Sequence, residues 1–273
     1  MYKLLLITAR PEVLSAFQTI DQWEVYGFRA PRVCNGAAEA MQSLSRHHAD
    51  GIALNLPAEE ETAFLHELND RYPLLPVMRA AEERETILSD LGEMEQLLNQ
   101  THADYSNDRY DEAERMLLAR HEMFHQVLNG EMHSEEHLTR MMRLYRSRMD
   151  PTRPCVVHRL AFPDEDGYLS GHWAYGAERL EVAMRNIFGA ELNGMRMLIS
   201  VLPDERIYLV CCPMTGEKAP STDEMQAMVD KQADEAIRHV REYLNMELYT
   251  VAKGMLPALT VLAGGQARQR LPG

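Results

Sequence analysis

Short apolar runs alternate with helical patterns along the first hundred residues of the chain. The apolar runs, which are typical of strands buried on both faces, lie at residues 2–8, 28–33, 51–56 and 75–78. Apolar side chains recur at helical spacing at residues 11–20, 37–47, 59–71 and 86–98. Strands that alternate with helices of about 10 to 15 residues predict a parallel sheet with helices on both faces. This part is therefore predicted to be a doubly wound α/β domain.

Residues 104–150 show two helical patterns and no strand pattern. The first, at 109–128, ends at an Asn-Gly turn signal and carries a stripe of Tyr110, Ala113, Leu117, Phe124 and Leu128. The second is predicted to begin after a cap at Ser134, with a stripe of Leu138, Met141, Met142 and Tyr145. A helical hairpin between two α/β parts connects them and often dimerises, so we expect a homodimer through these linker helices.

The last third alternates strand and helix patterns again. Strands are predicted at 155–162, 197–202, 207–212 and 247–252, with helices at 177–192 and 222–245. The order β-α-β-β-α-β is the ferredoxin-like arrangement. The sequence therefore predicts three parts: an α/β domain at 1–103, a helical linker at 104–150 and a second α/β domain at 151–273.

Composition narrows the classes of function. The chain has 273 residues, of which 45% are hydrophobic, and a formal net charge of −14. Such an acidic chain is a poor nucleic-acid binder by itself, because affinity for phosphate depends on clustered Lys and Arg. No run of 18 apolar residues and no signal-peptide pattern occurs, so we expect a cytoplasmic protein without a membrane contact. The four cysteines lack metal-site spacing and are expected to be buried free thiols.

Several short motifs carry a resemblance to a known family. They are MYKLLLI at the start, Pro11, Trp23 with Gly27-Phe28, Asn35-Gly36, Ala49-Asp50, Arg71-Tyr72-Pro73, QVLNG at 126–130, VAMRNIF at 182–188 and Pro203-Asp204. Together they resemble AraC-type, YesN-like response regulators over nearly the whole chain. The resemblance implies a flavodoxin-like receiver domain, a helical linker and a central domain that is a degenerate relative of the diguanylate cyclase fold.

The sequence departs from a working receiver at each position that phosphoryl transfer needs. A receiver holds Mg²⁺ with two acids after the first strand and phosphorylates an Asp after the third. Here the acidic pair falls on Thr8 and Ala9, and the phosphoacceptor falls on Asn55, which is neither charged nor a nucleophile. The hydroxyl position falls on Ala80 or Ala81, and no Lys-Pro pair follows. We therefore predict a pseudo-receiver that is phosphorylation-incompetent and needs no cofactor.

The central domain also departs from the sequence pattern of a working cyclase. A cyclase has a glycine-rich acidic turn between its middle strands, whereas residues 202–206 contain no glycine. We expect no cyclase activity and predict a non-enzymatic regulator that acts through dimerisation, a partner or a ligand. Regulators of this family end in helix-turn-helix units, which these residues do not include. Either the sequence is a fragment, with DNA reached through a domain absent from it, or the protein works without DNA.

One motif points to a different class of function. His121, Glu122 and His125 satisfy H-E-x-x-H, which on a helix places both imidazoles on one face for Zn²⁺ and the Glu near a metal-bound water. The alternative function is thus a zinc-dependent hydrolase. Against it, no third ligand occurs at the spacing of the extended motif, because Gly130 and His133 each fall two residues late. Both histidines also lie on the flank of the apolar stripe, where half-buried histidines are common.

Overall fold

The chain divides into two units. The computed structural model describes residues 1–102, 112–163, 168–202, 204–265 and 267–272. The first unit comprises Met1–Glu122 and Arg140–Ser147, and the second comprises Met123–Thr139 and Arg148–Gly273. The segment 104–150, predicted as a linker, therefore contributes to both units.

A four-stranded parallel sheet flanked by helices forms the first unit, with strand order β2-β1-β3-β4. Its elements are β1 (Tyr2–Ile7), α1 (Pro11–Gln18), β2 (Phe28–Cys34), α2 (Ala37–Arg46), β3 (Gly51–Leu54), α3 (Ala58–Arg71), β4 (Val77–Arg79) and α4 (Arg84–Thr101). A 3₁₀ turn, Trp23–Tyr26, precedes β2. The parallel α/β architecture predicted from the apolar runs is confirmed, and this strand order is compatible with a flavodoxin-like fold.

Both faces of the central strand β1 are buried. Leu5 and Ile7 pack with apolar residues of α2 and α3 on one face of the sheet. Leu4 and Leu6 alternate with them and so project to the other face, where they are also buried. Continuous apolar strands of this kind need helices on both faces, and this explains why YKLLLI has no polar alternation after its first two residues.

Two helices follow in the segment predicted as a hairpin, α5 (Glu112–Asn129) and α6 (Glu135–Leu144). The predicted start of the first helix and Tyr110 lie outside the described residues. The helix ends before Gly130, whose positive φ of 76° suits a residue without a side chain. The Ser134 hydroxyl accepts a hydrogen bond from the His137 N–H at 3.1 Å, so the predicted cap is present.

The second unit contains a five-stranded antiparallel sheet with strand order β6-β7-β8-β5-β9. Its further elements are β5 (Cys155–Ala161), α7 (Tyr168–His172), α8 (Ala177–Phe188), β6 (Glu191–Leu192), β7 (Met195–Val201), β8 (Ile207–Pro213), α9 (Thr222–Leu244), β9 (Tyr249–Leu256) and α10 (Ala267–Arg270). Helices α8 and α9 cover one sheet face and share its apolar core.

The prediction of a helix at 177–192 is wrong at its end. The helix stops at Phe188, because Gly189 takes a positive φ of 85°. Residues Glu191–Leu192 then form β6, which pairs with the start of β7. The apolar pattern alone does not separate a last helical turn from a two-residue strand.

Candidate functional site

The carboxyl ends of β1, β3 and β4 bring together residues that are far apart in the sequence. Thr8 follows β1, Asn55 follows β3 and Ala80 follows β4. The Asn55 backbone N–H donates to the Ile7 carbonyl at 2.9 Å, and the Asn55 side-chain Nδ2 donates to the Ala80 carbonyl at 2.9 Å. The side chain at the predicted phosphoacceptor position is therefore fixed to the end of the neighbouring strand.

Thr8 and Ala9, the predicted positions of the acidic pair, differ in their surroundings. Thr8 is fully buried, and its N–H donates to the Cys34 carbonyl at 2.9 Å. Its hydroxyl accepts a hydrogen bond from the Arg10 N–H at 3.1 Å and so supports the turn into α1. Ala9 is exposed. Neither residue offers a carboxylate to a cation.

An ion pair that sequence reasoning missed links two loops at this edge of the sheet. Arg10 Nη2 lies 2.5 Å from Glu82 Oε1, joining the loop after β1 to the loop after β4. Both side chains are about half exposed. We call Thr8, Arg10, Asn55, Ala80 and Glu82 the carboxyl-edge site. No local pattern reveals this pair, because its partners come from different strand ends.

The chemistry of the carboxyl-edge site differs from that of a metal-dependent phosphoacceptor. The Asn55 side-chain amide donates a hydrogen bond to a carbonyl, whereas a carboxylate in its place could only accept hydrogen bonds. The acid present, Glu82, is neutralised by Arg10. The arrangement holds the loops together through neutral hydrogen bonds and a surface ion pair.

The turn between β7 and β8, predicted to be the degenerate cyclase turn, is closed by its own residues. The Leu202 N–H donates to the Arg206 carbonyl at 2.9 Å, and Arg206 Nε lies 2.6 Å from Asp204 Oδ2. Glu205 has a positive φ of 63°. Pro203, part of the motif quoted for this turn, lies outside the described residues. The Asp204 carboxylate is thus already engaged by Arg206.

The H-E-x-x-H residues lie on α5, as predicted. His121 and Glu122 belong to the first unit and His125 to the second. His121 is buried and Glu122 is exposed. In the residues that the structure describes, no group of three or more His, Cys, Asp or Glu side chains is placed to hold a metal ion.

A carboxylate in the second unit binds His125. His125 Nε2 lies 2.9 Å from Oε2 of Glu181 on α8, and Glu181 is only 4% exposed. The same carboxylate oxygen accepts a hydrogen bond from the Val201 N–H at 2.6 Å and one from the Ser200 hydroxyl at 3.3 Å. Glu181 therefore joins α5, α8 and the end of β7 in one buried network.

A second buried polar group lies under α9. His158 of β5 is 0% exposed, and its Nε2 lies 2.9 Å from Asp230 Oδ1. Asp230 also pairs with Lys253 Nζ at 3.1 Å and accepts a hydrogen bond from Gln226 at 2.9 Å. Burial lowers the pKa of His158 and outweighs the opposing effect of Asp230. Sequence reasoning missed this cluster because VVHRL reads as an ordinary strand.

The four cysteines, Cys34, Cys155, Cys211 and Cys212, are buried free thiols, as expected. Burial raises the pKa of Cys211 to about 12, so this thiol stays protonated and unreactive near neutral pH.

Comparisons with known proteins do not assign a family. Neither protein-family models nor curated proteins match this chain. A search for membrane spans over the described residues finds no helix with the length and apolar character to cross a bilayer.

Proposed function

We propose that this chain is the non-enzymatic regulatory module of an AraC-type response regulator whose phosphorylation switch has been lost. The observation that carries the proposal is the carboxyl-edge site. There Asn55 donates to the Ala80 carbonyl, while Thr8 and Ala9 stand where Mg²⁺ ligands would be needed. A site without a nucleophilic carboxylate or a cation-binding acid pair cannot accept a phosphoryl group by the receiver mechanism.

The topology of both units supports the assignment to a receiver domain followed by a cyclase-type central domain. In the first unit the strand order β2-β1-β3-β4 is that of a receiver sheet up to its fourth strand. In the second, the neighbours β7-β8-β5-β9 are antiparallel and follow a β-α-β-β-α-β chain order. We assign the second unit to the ferredoxin-like class and, through the quoted motifs, to degenerate cyclase-type domains.

Regulation in this proposal acts through contacts with a partner, a ligand or a second copy of the chain. The burial of the stripe residues limits which faces of the linker helices could form the predicted homodimer. Among the described stripe residues only Ala113 is exposed and Leu117 is half-buried; those buried within the chain are Phe124, Leu128, Leu138, Met141, Met142 and Tyr145. A dimer would therefore use other faces of α5 and α6, and light scattering at tens of micromolar protein would detect it.

The phosphorylation claim is tested by intact-mass spectrometry after incubation with acetyl phosphate and Mg²⁺. We expect neither the native chain nor the Asn55→Asp variant to gain a phosphoryl group, because Thr8 and Ala9 supply no metal ligands in either. A functional receiver in the same reaction is the positive control. A phosphoryl gain by the native chain that disappears in Asn55→Ala would contradict the proposal.

A further inference from the structure

A cationic cavity lies at the amino end of the first unit's sheet, opposite to the carboxyl-edge site. Its volume is about 410 Å³, within the range of small-molecule sites. Its charged and titratable lining groups are Lys3 of β1, Arg29 and Arg32 of β2, and His47 and His48 after α2. We call it the amino-edge cavity. No Asp or Glu occurs among the described residues that line it.

This clustering of positive charge is unusual for the chain as a whole. The sequence has 42 acidic residues against 28 Lys and Arg, yet one Lys and two Arg meet at one concave site. In the part of the chain that the structure describes, none of Lys3, Arg29 and Arg32 forms an ion pair. A cavity lined by one sign of charge focuses the electrostatic potential and attracts the opposite charge.

The strand register places the cations side by side. Lys3 and Arg29 are direct partners in the β1–β2 ladder, and like charges in such positions repel. Arg32 pairs with Leu5, which packs towards α2, and its Nη1 lies 3.5 Å from the Ser43 hydroxyl. The three side chains therefore share the sheet face covered by α2, and a bound anion would relieve their repulsion.

A bulge in the edge strand helps to form the cavity. The register runs from Arg29 to Arg32 on β2 while β1 advances only from Lys3 to Leu5, so β2 has one extra residue. The extra residue lies at Ala30-Pro31, and Pro31 has no N–H to give to the ladder. Bulges at edge strands commonly re-aim side chains next to binding sites.

The acid nearest in sequence to the two histidines is already engaged. Asp50 Oδ1 lies 2.7 Å from His48 Nε2, and Asp50 Oδ2 accepts a hydrogen bond from the Lys3 backbone N–H at 2.7 Å. This carboxylate fixes His48 and the start of β1. The ammonium of Lys3 and the guanidinium groups of Arg29 and Arg32 remain available to a ligand.

We propose that the amino-edge cavity binds a small phosphorylated molecule, with Lys3, Arg29 and Arg32 as ligands of the phosphate. Leu44 and Pro31 also line the cavity and would contact the organic part of such a ligand. Guanidinium groups suit phosphate because their paired N–H donors match its oxygens. The site extends beyond the proposed function, since it shares no residue with the carboxyl-edge site.

The test is isothermal titration of the full chain with pyrophosphate. We expect saturable binding of one equivalent that weakens about tenfold in Arg29→Gln and in Arg32→Gln, the effect of losing one hydrogen bond to a charged group. The matched control is Arg46→Gln, which removes the same charge from the exposed last turn of α2 outside the cavity lining. Absence of saturable binding, or an equal loss in Arg46→Gln, would overturn the proposal.

A second set of probes tests the organic part of the ligand. Adenosine monophosphate should bind more tightly than inorganic phosphate, because the apolar lining adds contact area, while adenosine alone should not bind. Equal affinities for adenosine monophosphate and inorganic phosphate would overturn the assignment of an organic ligand. Circular dichroism of each variant verifies that the fold is intact.

Discussion

The carboxyl-edge site of the first unit and the buried networks of the second unit use polar side chains in opposite ways. At the carboxyl-edge site of the first unit the ion pair of Arg10 and Glu82 is half exposed, and the fixed side chain, Asn55, is neutral. In the second unit Glu181 and His158 are buried almost completely, each with a charged or titratable partner. Exposed pairs contribute little to stability, whereas removing one partner of a buried pair leaves an uncompensated charge.

A variant of the exposed Arg10–Glu82 pair should leave the fold intact, so a change in its behaviour would report on function. A variant of the buried networks should act first on stability. His125 belongs to the second group, because Glu181 binds its imidazole.

The largest effect is expected for Glu181→Ala. This change removes the acceptor of the Val201 N–H and the partner of His125, and we expect it to lower the free energy of unfolding by about 3 kcal/mol. Urea unfolding followed by Trp173 fluorescence, in a Trp23→Phe background, reports on the second unit alone, since each unit holds one tryptophan.

The matched control is Glu191→Ala, which removes the partner of Arg148 and Arg196 at an exposed position. This variant should lower the free energy of unfolding by less than about 1 kcal/mol. Equal losses in the two variants would remove the distinction between buried and exposed pairs.

The same network separates the two interpretations of His125. If His125 is a partner of Glu181, His125→Ala destabilises the second unit without changing metal content. Stoichiometric zinc in untagged protein, lost in His125→Ala, would instead favour the hydrolase alternative.

A smaller effect is expected for Asn55→Asp. The introduced carboxylate cannot donate to the Ala80 carbonyl, so we expect the free energy of unfolding of the first unit to fall by about 1 to 2 kcal/mol at neutral pH. Trp23 fluorescence in a Trp173→Phe background measures it. The loss should shrink in acid, because a protonated carboxyl can donate to that carbonyl again. A loss that is independent of pH would mean that the amide hydrogen bond is not its cause.

The stability of the second unit should depend on pH through His158. Burial holds the pKa of His158 below its usual value of 6.5, so the unfolded chain binds this proton at a higher pH than the folded chain does. The contribution of His158 is therefore fully present above pH 6.5 and is lost as the pH falls from there towards the folded pKa. His158→Gln should flatten this part of the profile, while His239→Gln, at an exposed position of α9, should leave it unchanged. A profile that keeps its slope in His158→Gln would assign the dependence to another group.

Most elements of the fold could be predicted from the sequence. The runs LLLI of β1 and GIAL of β3 are apolar without interruption because these segments are buried on both faces, and the pattern can be recognised without knowing which strands pair. The absence of acids at Thr8, Ala9 and Asn55 is likewise a property of residue identity. The end of α8 could not be predicted from the sequence, because a glycine such as Gly189 allows a positive φ but does not require it.

Tertiary structure alone decided which polar groups meet. The contacts from Asn55 to Ala80, Arg10 to Glu82 and His125 to Glu181 join segments that approach each other only after the sheets have formed. Their geometry depends on strand register and on the packing of helices, to which many residues contribute a little each. Hydrophobic periodicity records which face of an element is buried, whereas the partner of a buried charge is fixed by the closure of the chain around it.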